Sequence, residues 1–351
     1  MFNQNNNTPA GYWLLTVGSY RILVHRRGSF AALALITALI VTAGLSLVWG
    51  VEDLSLASVF FNAAGLGDPM HVFLIQELRM PRLVAGLATG FALGVAGCLL
   101  QTLARNRLAT PGIIGIDDGA TAFAVASIVA VPTSLAPSAL ALSGAAVAAA
   151  LAFGLSGSAG SRGYRFIVVG IGVGAMFGAL TNFMLARAHI DSANLAYPWT
   201  VGSLNARPPE AVWVLMAGLL VCVPCAKYLA RALNVLRFSD AVAQGLGINL
   251  RRVRIYTLVV TVILTALGVA VVGPVGLIAL AAPEVARHLA GHQGVAVMGA
   301  GLAGALLMLV ADWAGRSLFA PIEIPVGVIM AAVGGPYLLW ILLRQPSRRT
   351  E

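Results

Sequence analysis

The sequence predicts an all-α polytopic membrane protein with about ten transmembrane helices, and three observations carry that prediction. Of 351 residues, 59% are hydrophobic and 10% charged. A soluble domain carries roughly 25% charged residues, which it needs to cover a water-facing surface. The apolar residues gather into runs near the length of about 20 residues that spans the hydrocarbon of a bilayer as a helix. Thirty-nine glycines supply the small positions that let membrane helices approach closely.

The runs fall near 31–51, 83–103, 113–131, 138–158, 166–186, 211–230, 255–273, 275–290, 295–311 and 325–343. The eighth and ninth are short. Residues 1–29, polar and then basic, read as a cytoplasmic segment rather than a cleaved signal. Residues 30–344 form one ten-helix domain, and 345–351 a cytoplasmic tail. Ten crossings place both termini on one side. With both termini inside, 17 of the 22 lysines and arginines lie on inner segments, leaving Arg79, Arg82, Arg187, Arg207 and Arg316 outside. That bias orients the chain. It also accounts for the +9 formal charge without nucleic acid, since no soluble domain remains to present a basic face.

Candidate chemistry is sparse. No G-x-x-x-x-G-K-[ST] loop occurs, so ATP hydrolysis is not expected on this chain. His25, His71, His189, His288 and His292 are scattered, and the pair His288/His292 sits at a cytoplasmic edge as a surface pair rather than a metal site. Cys98, Cys222 and Cys225 lie in apolar runs and read as packing residues. No catalytic residue, metal site or cofactor is expected. The polar groups available to line a pathway are Gln101, Thr102, Thr181 and Asn182, with Asp117 and Asp118 near the inner end of the third span in a structural or gating role. So few ionisable groups suit the passage of a large solute better than an ion-coupled pump. A secondary transporter driven by an ion gradient is the alternative reading, and a membrane-embedded enzyme a third. Gly86, Gly90 and Gly94, and again Gly170, Gly174 and Gly178, recur every four residues and are expected at helix–helix contacts.

Several stretches are more specific. "RMPRLVAGLATGFALGVAGCLLQTLARNRLATPGIIG" places Arg79, Pro81, Arg82, Gly97, Gln101, Asn106, Leu108, Ala109, Pro111 and Gly115 in one order. It resembles the R-L-P-R, glycine-rich, N-P-L-A-x-P-x-x-L-G pattern of permease subunits of type II ABC importers, the family that takes up iron-siderophores, haem and vitamin B12. "RFSDAVAQGLGINL", "VVGPVGLIALAAPEVARHLAG" and "LVADWAGRSLFAPIEIPVGVIMAAVGGPY" resemble later segments of that family, so the likeness covers roughly residues 30–344. Departures are Arg107 in place of the N-P-L-A proline, Asp117-Asp118 at the usual polar pair, and Glu284 in place of a histidine.

The resemblance implies a multi-pass subunit of the bacterial cytoplasmic (inner) membrane with both termini cytoplasmic, paired with a second permease copy or paralogue. It implies a separate ABC ATPase dimer and an extracytoplasmic substrate-binding protein. Arg79, Arg82 and Arg316 are then expected to dock the binding protein, with Pro81 stiffening the turn that presents them. Asp240, Ala243, Gln244, Gly245, Leu246 and Gly247 match the ATPase-coupling helix, for which Ser239 is the expected N-cap and Gly245 and Gly247 the end. Asn106, Leu108, Arg162 and Gly163 fall at the expected cytoplasmic gate.

Overall fold

Ten of the helices in the computed structural model overlie the ten expected runs. Residues 2–3, 11–17, 20–49, 54–129, 136–156, 164–205, 207–291 and 294–344 are described. The order is α1 (Arg26–Val48), α2 (Leu56–Ala63), α3 (Pro69–Phe73), a π-helical stretch (Leu74–Arg79), α4 (Met80–Ala104), a 3-10 turn (Pro111–Ile114) and α5 (Ile116–Val129). There follow α6 (Pro137–Ser156), α7 (Tyr164–Arg187), α8 (Ile190–Val201), α9 (Pro209–Leu236), α10 (Asp240–Gly245), α11 (Leu250–Val272), α12 (Gly276–Ala290), α13 (Val297–Ser317) and α14 (Val326–Arg344). The expected runs correspond to α1, α4–α7, α9 and α11–α14. "Outer" and "inner" below refer to the ends that the charge bias assigns.

Two features were not anticipated. Strands Phe2–Asn3, Tyr12–Val17 and Tyr20–His25 form a small antiparallel sheet ahead of α1, with Tyr12 opposite His25 and Val17 opposite Tyr20. Helices α2, α3 and α8 lie in the outer connections, too short or too polar to register as spans.

Among the described residues, seven helices are long and apolar enough to cross a membrane. Helices α5 and α12, at 14 and 15 residues, reach only about 21–23 Å at 1.5 Å per residue, short of a hydrocarbon layer of about 30 Å. Irregular backbone completes them at Pro111–Gly115 and Gly273–Val275. Such backbone is tolerated at membrane depth only under protein cover, and Pro111, Ile114, Gly115 and Val275 are buried. In the opposite sense, Pro69–Ala104 is one continuous helical rod of 36 residues, about 54 Å long, so its outer end stands clear of the hydrocarbon. Pro81 therefore lies within this rod and not in a turn. The π-helical stretch directly before it widens the helix where the proline ring displaces a carbonyl and offers no N–H.

Helix α4 is the centre of the molecule, buried almost without interruption from Ala85 to Gln101. Its glycines explain how. A Cβ on Gly90 would strike the backbone of Gly304, one on Gly94 the carbonyl of Ala300, and one on Gly97 the carbonyl of Ala279. Gly304 faces Gly90 in the same way, so α4 and α13 meet backbone to backbone. Gly170 and Gly174 of α7 serve the same end, against Ile113–Gly115 and the Asp118 carboxylate, whereas Gly178 faces open space.

The outer connection after α8 is tied by an arginine. Arg207 donates to the carbonyls of Ser203 (2.7 Å), Val272 (3.2 Å) and Pro198 (3.3 Å), and its guanidinium lies 4.1 Å from the Trp199 ring centre. Burial pushes its pKa down to about 10, which leaves it charged at neutral pH. Gly202, at φ +79, lets this connection pass against Pro274 where a Cβ would clash.

Replacing Gly94 by leucine should cost about 1–3 kcal/mol or more of stability, since the side chain would be driven into backbone that cannot yield. Gly178→Leu in the purified chain should cost little. Melting temperatures of the two variants in one detergent check the contrast.

Candidate functional site

Two clusters of charged side chains mark the two ends of α4. Arg82 and Arg105 are about 34 Å apart along the rod at 1.5 Å per residue, close to the thickness of the hydrocarbon.

At the outer end, Asp312 of α13 sits between two of the arginines singled out in the sequence. Arg82 approaches its Oδ1 at 2.9–3.0 Å, and the Arg316 Nε donates to its Oδ2 at 3.1 Å. The Asp312 side chain is 5% exposed, Arg82 17% and Arg316 12%. Arg82 also pairs with Glu323 at 3.0 Å, and Arg316 donates to the Ser46 hydroxyl at 2.7 Å. Arg79 donates to the carbonyls of Leu47 and Val48. The three arginines thus converge on the C-terminal end of α1 and on α13, where Trp49 stacks on Trp313 at 5.9 Å. They form an internal clamp, with Glu323 its more exposed carboxylate. Asp312 was missed in the sequence, yet its i, i+4 spacing to Arg316 is the signal of a helical ion pair.

At the inner end, α10 has the form read from the sequence. The Ser239 hydroxyl accepts from the Val242 N–H at 3.1 Å, and Gly247 follows at φ +79. Asp240, at the first turn where a negative charge is favoured, binds Arg105 at 2.7 Å and Arg254 at 2.6 Å. Partial burial pushes its carboxyl up, but the hydrogen bonds and charges of Arg254 and Arg105 outweigh this and hold it below the usual carboxylate range. These contacts are therefore complete above that range and are lost only as pH falls through the lowered value. Ala243 is turned inward and fully buried, so it seats α10 on its own chain rather than offering a contact. Gln244, Gly245, Leu246 and Gly247 are exposed, and a Cβ on either glycine would meet open space. Phe238 and Val242, which the sequence reading passed over, join Leu246 in an exposed apolar patch. Beside α10 opens a cleft of about 1190 Å³ lined by Arg105, Asn106, Asp240, Gln244, Arg251 and Arg254 among others.

The remaining candidates separate. Asn106 and Leu108 form a tight turn, the Asn106 Oδ1 accepting from the Leu108 N–H at 2.9 Å. Arg162 and Gly163 lie outside the described residues. Gln101 is buried: its Nε2 donates to the Leu280 carbonyl at 3.1 Å and its Oε1 accepts from Arg287 at 2.7 Å. Thr181 is buried and bonded to the Phe177 carbonyl, whereas Asn182 is exposed. Asp117 and Asp118 open α5. The Asp117 Oδ1 is buried without a hydrogen-bond partner among the described residues, and the Asp118 carboxylate reaches toward Gly174.

A model of the FecCD transport family matches residues 38–344. The chain is 34% identical over 329 residues to the ferric enterobactin transport system permease protein FepG of Escherichia coli, covering 93% of this chain and 99% of the relative. It is 35% identical over 343 residues to the achromobactin transport system permease protein CbrC of Dickeya dadantii, covering 93% and 98%. Its fold matches that of a metal-chelate type ABC transporter in an inward-facing conformation, with a TM-score of 0.78 at 24% identity, over 90% of this chain and 99% of that one.

Removing one member of a buried ion pair leaves a charge without compensation, at a cost of roughly 3–5 kcal/mol. Asp312→Ala should therefore lower the melting temperature of the purified chain sharply. Glu323→Ala, which removes a half-exposed carboxylate, should barely change it.

Proposed function

The chain belongs to the FecCD transport family, and from that premise we propose that it is the membrane subunit of an ATP-driven importer for a ferric siderophore or a similar metal chelate. The substrate class extends to haem and cobalamin. An extracytoplasmic binding protein delivers the chelate, and a separate ATPase dimer drives its passage across the cytoplasmic membrane. A second permease, a copy or a paralogue, completes the pathway.

The observation that carries this reading is the α10 surface. A cytoplasmic connection with no partner of its own has no reason to expose Phe238, Val242 and Leu246 around a six-residue helix. A small apolar knob with two open glycines beside it suits insertion into a cleft on another protein, and it supports the assignment of Gln244–Gly247 to ATPase coupling. Asp240 would hold the knob at a set angle through Arg105 and Arg254. Asn106 and Leu108, with Arg162 and Gly163, would form the inner gate beneath the pathway. Asn182 lies on the face of α7 that exposes Ile171, Met176, Leu180 and Phe183. That face suits the second permease, with Asn182 toward the path and Thr181 and Gln101 behind it. The 1–29 segment and the 345–351 tail would lie in the cytoplasm.

The outer arginines would recognise carboxylates on the binding protein. A guanidinium holds a carboxylate through two parallel hydrogen bonds, and Arg82 already pairs with the half-exposed Glu323 as well as with Asp312.

Two measurements test these assignments. The purified chain should hydrolyse no ATP, and its cognate ATPase should co-purify with it unless Leu246→Glu or Val242→Glu is introduced. Hydrolysis by the chain alone, or co-purification untouched by both changes, overturns the α10 assignment. Separately, Arg79→Glu and Arg82→Glu should weaken capture of the binding protein about thirtyfold or more at low salt, in line with a desolvated charge pair worth about 2–5 kcal/mol. If affinity is unchanged at every salt concentration while melting temperature falls, the arginines belong to the internal clamp alone.

A further inference from the structure

Two arginines flank Asn106 in the α4–α5 connection, and they reach in opposite directions. Arg105 donates to the Leu236 carbonyl at 2.6 and 3.1 Å and to Asp240 of α10 at 2.7 Å. Arg107 pairs with Glu284 of α12 at 3.4 Å. We propose that Arg105 and Arg107 are positioning residues for transport, forming with the Asn106 turn a yoke that carries displacement of α10 to α12. The proposal rests on α10 being the ATPase contact.

Three features make the connection stiff enough for this. Arg105 is the one non-glycine residue with positive φ (50°) among those described, a strained conformation that its own hydrogen bonds hold in place. Asn106 closes the following turn onto Leu108. Arg107 and Glu284 are two of the positions at which this sequence departs from the family pattern, and they meet each other. A proline would restrain the connection through its own ring, whereas here an ion pair to α12 restrains it from outside.

On the far side the linkage continues inward. Glu284, 6% exposed, also binds Arg287 at 2.7 Å, and Arg287 donates to the Gln101 Oε1 at 2.7 Å. Gln101 in turn holds the Leu280 carbonyl. Polar contacts thus run from α10 through the connection to α12 and back to the buried face of α4. The Arg107–Glu284 pair is the weakest step, because Arg107 is 53% exposed and the distance is long. A pair of that kind is worth little by itself, so the linkage is most easily broken at Arg107.

The test uses the full chain bound to its ATPase, with Cys98, Cys222 and Cys225 replaced and an environment-sensitive fluorophore on Leu289→Cys, an exposed position near the inner end of α12. The probe is ATP with vanadate, so no transported chelate need be known. The fluorescence change on trapping should be present in the parent protein. It should fall severalfold in Arg107→Ala and be largely restored in Arg107→Lys. Arg107 is exposed enough for Arg107→Ala to fold, and co-purification of the ATPase with the variant is measured alongside. An undiminished change in Arg107→Ala with the ATPase still bound overturns the yoke, as does the absence of any change in the parent. Failure of the α10 reading is recognised separately, by co-purification that survives Leu246→Glu.

Discussion

The close approach of α4 to α13 is the contact on which the rest of the molecule depends. Between helices in lipid there is no water to expel, so packing must come from backbones brought near enough for many atoms to touch. Gly90 against Gly304 and Gly94 against Ala300 bring them that near. One consequence reaches the outer end of the same two helices, where Arg82 on α4 is placed within hydrogen-bond distance of Asp312 on α13. A carboxylate as buried as Asp312 is tolerable only while both guanidiniums stay beside it. Glycine contact and ion-pair clamp therefore depend on each other: the first sets the separation that the second requires.

The inner end obeys a different rule. Around α10 the charges are more exposed than in the outer clamp. Asp240, Arg105 and Arg254 orient α10, while Glu284, Arg287 and Gln101 join α12 to α4.

Much of this was legible in the sequence. Hydropathy located these ten helices because a segment inside the membrane needs apolar side chains whether lipid or other helices surround it. The α10 helix was legible because its signals are local: a serine cap, a first-turn aspartate and glycines at the end act within a few residues. The glycine spacing in α4 announced a contact face for the same reason, and the order of short motifs pointed to the family that the comparisons established. The length of α5 was not legible, since apolar residues read alike in a helix and in irregular backbone covered by protein, whereas the short α12 was read at 275–290.

Tertiary structure decided the partners. Asp312 lies 230 positions from Arg82, and Glu284 lies 177 from Arg107, so no local pattern could join them. Arg82 and Arg316 read as outer arginines against the charge bias, and the fold showed that they share a buried carboxylate. Gln101 and Thr181 read as pathway groups, and the fold turned both inward. By itself the sequence determined which segments enter the membrane, because transfer from water to lipid is a property of each segment's own side chains. Only the folded chain decided which polar groups remain available to a ligand or partner, because a buried polar group takes the nearest donor or acceptor, and nearness is set by packing.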